Sequence, residues 1–121
     1  SIRAELISEH VTARTRAIVV AHLFGSRMAM EPISAAARRH ELLVIEDCAQ
    51  AFAADGYRGS AQSDVSLFSF GPIKTSTALG GALLRVSDAG LRTAMLARQR
   101  KYPGQRRAAY VRKLMKCAAL K

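Results

Sequence analysis

Three polar residues follow apolar, strand-like runs in this chain: His22 after "AIVVA", Asp47 at the end of "LLVIED", and Lys74 shortly after "LFSF". A lysine in a crowded pocket loses its charge more easily than one in water, and can then act as a base or an amine nucleophile. A carboxylate beside a buried strand is costly unless a cation or hydrogen-bond donors meet it. That makes Asp47 the sharpest of the three, although "DCAQ" suits an N-cap for a following turn equally well. Taken alone, Lys74 reads as a loop lysine pointing to water, as most lysines do, and His22 as a hydrogen-bonded structural side chain. Placement favours the three together, since in open α/β sheets ligands bind beyond the carboxyl ends of the strands.

The elements that must position them are legible from periodicity. "AIVVAHLFG" is a short apolar run rich in β-branched residues and closed by Gly25, which predicts a buried strand from Ala17 to about His22. "MEPISAAARRH" predicts a helix, with Pro32 suited to a first turn, Glu31 favourable near its start, and Arg38, Arg39 and His40 near its end. "LLVIED" is a second buried strand, so strand, helix and strand form a βαβ unit with parallel strands. The segment "CAQAFAADGYRGSAQS" predicts a short helical turn and then a hairpin or loop around Gly56 and Gly59. "DVSLFSF" follows as a third strand, apolar on both faces apart from its serines, as inside a covered sheet. "GGALLRV" is a fourth strand. Ser87 and Asp88 supply an N-cap and a favourable first-turn charge for a helix that stops near Pro103, and a last helix runs from about Gln105. In it Tyr110, Val111, Leu114, Met115 and Ala118 make an apolar stripe, with Arg106, Arg112, Lys113 and Lys116 largely elsewhere. The fold class is α/β, a mainly parallel sheet flanked by helices. One partial domain is expected over 1–121, with a core at about 12–101 and a basic helical segment at about 104–121.

Composition bounds the partners. The 121 residues are half hydrophobic and carry a net charge of +10. Up to Leu91 nine Lys and Arg balance nine Asp and Glu; ten bases follow and no acid. The C-terminal helices lack interleaved aromatics and any zinc or helix-turn-helix spacing, so a solvated or partner-facing surface is favoured over a nucleic-acid site. No apolar run is long enough to span a bilayer, and the start is charged where a signal peptide would be apolar, so a soluble, cytoplasmic protein is expected. Cys48 and Cys117 are too few for a disulfide framework and too far apart for a chelating pair; structural thiols are expected, and no metal.

Gly80 and Gly81 match neither a Walker nor a dinucleotide fingerprint, because "TALGG" lacks the spacing and opens a strand. One chemistry does need an acid and a lysine on neighbouring strand ends: pyridoxal phosphate catalysis, with a lysine Schiff base and an acid that keeps the pyridine nitrogen protonated. "AIVVAHLFG", "LLVIEDCAQAFAA", "SLFSFGPIK" and "GGALLRV", in this order, resemble the DegT/DnrJ/EryC1/StrS family of pyridoxal-phosphate aminotransferases. The resemblance runs from about Thr12 to Lys101 and is strongest at "VIEDCAQA" and "FSFGPIK". It implies part of the large domain of the aspartate-aminotransferase-like fold, fold type I. It also implies a sugar-type transaminase that uses pyridoxal 5'-phosphate, a small-molecule amino donor and a keto-sugar-like acceptor. By the same resemblance Lys74 forms the Schiff base and then shuttles a proton, Asp47 pairs with the pyridinium, Gln50 lies against the cofactor ring and Ser69 holds the phosphate. A dehydratase branch has histidine in place of the lysine, so Lys74 favours amino transfer.

The resemblance covers only the middle of the family's large domain. The family's phosphate-binding loop and stacking aromatic lie upstream of it, the small domain lies downstream, and "TSTAL" fills a shorter loop than usual. Family members are homodimers with the cofactor at the subunit interface. The second reading is therefore a truncated, non-catalytic remnant or binding module with a basic interaction surface.

Overall fold

The computed structural model describes residues 3–53, 55–72, 74, 76–104 and 107–119. They form two compact units, one up to Ser87 and one from Asp88 on. The first is built on a four-stranded sheet in the order β1 (Ala17–Ala21), β2 (Leu43–Asp47), β3 (Val65–Ser69), β4 (Ala82–Val86). β1, β2 and β3 run parallel, and β4 returns antiparallel to β3. Each strand falls on one of the four apolar runs, short segments bounded by turn residues.

A 3-10 turn (Ala4–Leu6) and the one-turn helix α1 (Ile7–His10) precede β1, neither of them anticipated from the sequence pattern. Helix α2 (Met30–Arg39) makes the crossover from β1 to β2, with Glu31 in its first turn and Arg38 and Arg39 in its last. Met30, Ile33 and Ala37 recur at helical spacing and pack with Val20, Leu42, Val44 and Ala4 into one apolar cluster. Ile33 is fully buried there, and burying a side chain of that size contributes roughly 1.5–3 kcal/mol.

Register decides what each sheet face carries. Val20, Glu46, Ser66 and Arg85 form one row across the four strands. The next row, Ala21, Asp47, Leu67 and Leu84, therefore belongs to the opposite face. The first face lies under α2, and Val20, Glu46 and Ser66 are buried on it. On the second, Val19, Leu43 and Leu84 are 63%, 44% and 49% exposed. The expectation that β3 runs inside a sheet covered on both sides thus holds for Val65, Ser66 and Phe68, which are buried, and not for Leu67 and Ser69, which are half-buried.

The second unit contains α3 (Ala89–Gln99) and α4 (Arg107–Ala118). Asp88 itself caps α3, one residue later than Ser87, its Oδ1 accepting the Leu91 N–H at 2.6 Å. Gln105 and Arg106, at the expected start of the last helix, lie outside the described residues. Among the described residues no helix is long and apolar enough to cross a membrane.

Candidate active site

Parallel pairing brings the C-terminal ends of β1, β2 and β3 to one edge of the sheet, and the chain reverses there into β4. Asp47 ends β2. Its Oδ1 accepts the Ala49 N–H at 2.9 Å, an Asx turn, and its carbonyl accepts the His22 N–H at 3.0 Å. The turn-forming reading of Asp47 is thus realised, with one carboxylate oxygen engaged in it. Gln50 follows in the same turn and reaches back to the loop after β1. Its Oε1 accepts the Phe24 N–H at 3.2 Å and its carbonyl the Gly25 N–H at 3.0 Å. These bonds hold Phe24 in the left-handed region, at φ 54°, with its ring 91% exposed. That conformation is uncommon for a bulky residue and persists only where neighbours over-determine it.

Lys74 lies in the β3–β4 connection, half-buried, its N–H donating to the Gly71 carbonyl at 3.1 Å. A cavity of about 400 Å³ has Lys74, Gln50, Phe24, Gly25 and Phe52 in its wall. Ala49 also lines it, which ties Asp47 to the cavity through their hydrogen bond. Ser69 ends β3 and is half-buried, on the same sheet face as Asp47. The fold thus places Lys74 and Gln50 on one cavity and sets Asp47 and Ser69 on adjacent strand ends. Ile73 and Thr75, which flank the lysine, lie outside the described residues.

One buried group was not singled out by sequence reasoning: Glu46, fully inaccessible in the centre of the sheet. Its Oε1 accepts from His22 Nε2 at 2.8 Å and from the Tyr57 hydroxyl. Its Oε2 accepts from the Ser60 N–H at 2.8 Å and the Ser66 hydroxyl at 2.9 Å. Burial alone would raise the pKa of this carboxyl, but the four donors outweigh it and bring the value down to about 2. Burial and the neighbouring Glu46 push the Tyr57 phenol up in turn. Arg85 Nη2 extends the network, donating to the Ser66 hydroxyl at 3.1 Å and the Ser63 carbonyl at 3.0 Å. The signals available in the sequence were a charged residue one position out of phase with Asp47 and the histidine after β1. Tyr57, Ser60 and Arg85 join them only through the tertiary fold.

His22 is the structural side chain that its position suggested. Its Nδ1 accepts the Met28 N–H at 3.2 Å, which places the ring proton on Nε2, toward Glu46. His22, Glu46 and Cys48 offer ligand atoms within 4.8 Å of one another, close enough to suggest a metal. Both imidazole nitrogens are already engaged, however, and burial, followed by the Glu46 charge, pushes the Cys48 thiol up to about 12. Both Glu46 oxygens are engaged by protein donors as well, so His22 and Glu46 belong to a hydrogen-bond network. Around it, Arg27 donates to Asp55 at 2.9 Å and to the Ala51 carbonyl at 3.2 Å, and lies 4.0 Å over the Tyr57 ring.

Residues 1–117 match the model of the DegT/DnrJ/EryC1/StrS aminotransferase family, a wider span than the motif-bearing stretch. A dTDP-3-amino-3,4,6-trideoxy-alpha-D-glucose transaminase of Micromonospora megalomicea subsp. nigra is 39% identical over 111 residues, 88% of this chain and 29% of the relative. Among solved structures, DesI in the presence of its TDP-sugar product matches with a TM-score of 0.69 at 31% identity, over 79% of this chain and 25% of that one. NtdA from Bacillus subtilis with bound cofactor PMP matches at 0.59 and 31%, over 72% of this chain and 20% of that one. The chain thus spans less than a third of the length of these relatives. Its four-stranded, mostly parallel sheet with flanking helices is the α/β architecture of the fold-type I aminotransferases. The chain belongs to the DegT/DnrJ/EryC1/StrS aminotransferase family.

Proposed function

We propose that this chain is the cofactor-anchoring core of a pyridoxal-phosphate-dependent sugar aminotransferase, which moves an amino group from a small-molecule donor to a keto-sugar acceptor. The observation that carries the reading is the cavity that Lys74 and Gln50 share, with Ala49, hydrogen-bonded to Asp47 at the end of β2, in its wall. Its volume of about 400 Å³ falls within the roughly 300–1,000 Å³ usual for small-molecule sites. The donor set also fits the group: an amine for an aldehyde carbon, a carboxylate for a ring N–H, a hydroxyl for a phosphate. When bound, the cofactor supplies an electron sink for the negative charge left on a substrate carbon after proton loss.

In this reading Lys74 Nζ holds the cofactor covalently and, once released, moves the proton at the substrate carbon that carries nitrogen. Asp47 faces the ring nitrogen and keeps its proton in place. Gln50 fixes the loop of Phe24 and Gly25 as a wall of the cavity, and Ser69 donates its hydroxyl to the phosphate. The nucleotide-sugar activity of the Micromonospora relative and the TDP-sugar product of DesI support a sugar acceptor.

The test is to incubate the chain with pyridoxal phosphate, reduce with borohydride, and locate phosphopyridoxyl peptides by mass spectrometry, with Lys74→Ala as control. A dominant adduct on Lys74 that the control lacks is the expected result. Adducts scattered over Lys101, Lys113 and Lys116 would overturn the reading for this chain.

A further inference from the structure

We propose that Glu46 is a positioning residue for the cavity, a buried anion that fixes the backbone of Asp47 and the turn carrying Gln50. The inference rests on the aminotransferase reading for its functional meaning, and on geometry for its physical content. Glu46 and Asp47 are consecutive, so alternation sends their side chains to opposite faces of the sheet. Whatever immobilises Glu46 also sets where Asp47 emerges at the strand end. Glu46 is held by donors from three other segments: His22 after β1, Tyr57 and Ser60 in the following loop, and Ser66 in β3.

Two of those partners connect onward to the strand end and to the turn that lines the cavity. His22 donates its backbone N–H to the Asp47 carbonyl, so one residue grips the side chain of Glu46 and the peptide of Asp47 together. Tyr57, donating to Glu46, carries Arg27 on its ring, and Arg27 donates to the Ala51 carbonyl next to Gln50. Replacing the carboxylate by an amide puts an NH2 group among four donors, which breaks the network without changing its volume.

The experiment compares wild type, Glu46→Gln and Tyr57→Phe in two readouts. The first is amide hydrogen exchange without cofactor. The expected result for Glu46→Gln is exchange at least tenfold faster at His22 and Cys48, whose N–H groups bond Asp47 and Leu67, with Leu43 at the far end of β2 unchanged. The second is the pH at which the absorbance of bound pyridoxal phosphate titrates, expected to move upward, because a ring that loses its proton as Asp47 is displaced leaves the nitrogen that Lys74 supplies more basic. A general loss of stability would not move that pH. Unchanged exchange at His22 and Cys48, or an unchanged absorbance titration in a variant that still labels Lys74, overturns the proposal. If Glu46→Gln does not fold, Tyr57→Phe, which removes one donor of four, is read by the same criteria. If wild type shows no selective Lys74 adduct, the aminotransferase reading fails, and the exchange result alone decides whether Glu46 positions Asp47.

Discussion

Nε2 of His22 and Oε1 of Glu46 lie 2.8 Å apart, with both side chains fully buried. An anion in the middle of a sheet is therefore met by hydrogen-bond donors drawn from separate segments, and the same row continues through Ser66 to Arg85. The sheet consequently has a polar seam on its covered face and an apolar row, Val19, Ile45, Val65 and Val86, on the other.

Gly59 is the position where the seam tolerates least. Its φ is +87°, and a Cβ there would lie 2.5 Å from Ser66 Cβ and 3.0 Å from Glu46 Oε2. Gly59→Ala is expected to cost roughly 2–4 kcal/mol, the sum of a left-handed alanine and an overpacked contact. Gly56, at φ +82°, would place a Cβ with nothing within 4 Å. Gly56→Ala should therefore cost only the backbone part, about 1–2 kcal/mol. Urea midpoints of the two variants check the difference; equal losses would mean that the Gly59 contact relaxes without cost.

How much of this was legible follows from which interactions are local. The four strands and the three longest helices are read from runs and periodicity, and Asp47 and Lys74 from their places after such runs. Glu46 was passed over because "LLVIED" is a strand signal as a whole, and a single in-strand charge is distinguished only by knowing which face is covered. That face is set by α2 and by the turns near Ala4 and Ile7, whose contacts with α2 span some thirty residues of sequence. The antiparallel return of β4 was equally unreadable, because "GGALLRV" has the same composition in either direction.

The two cysteines should differ sharply in reactivity. Cys48 is fully buried, and burial together with the nearby Glu46 charge raises its pKa to about 12, so almost no thiolate is present at neutral pH. Cys117 is partly exposed in α4. Iodoacetamide at pH 8 is expected to label Cys117 at least tenfold faster than Cys48, and both alike in urea. Peptide mass spectrometry of a time course reads this directly, and equal native rates would mean that the sheet opens readily at β2.

The apolar face should drive self-association. Val19, Leu43 and Leu84 are 63%, 44% and 49% exposed on that face, and large apolar side chains left open on a sheet face favour association. Val19→Lys combined with Leu84→Lys is expected to shift sedimentation toward monomer while leaving the far-ultraviolet spectrum unchanged. A wild-type chain that is already monomeric at high concentration would refute this.

Acid should weaken the fold through Glu46. Burial raises its pKa, but the donors Tyr57, His22, Ser60 and Ser66 more than compensate, so the value falls from 4.5 to about 2 on folding. A depressed folded-state pKa means that the stabilisation is fully present above about 4.5 and is lost as the pH falls toward 2. At about 1.4 kcal/mol per pKa unit, the amount at stake is on the order of 3 kcal/mol. Denaturant midpoints between pH 6 and pH 2 should therefore fall steeply for wild type and less for Glu46→Gln, whose amide does not titrate. The gap between the two should narrow as the pH drops, because protonation makes the wild-type carboxyl resemble the amide. Parallel curves would mean that the Glu46 carboxylate is as well solvated in the unfolded chain as it is held in the fold.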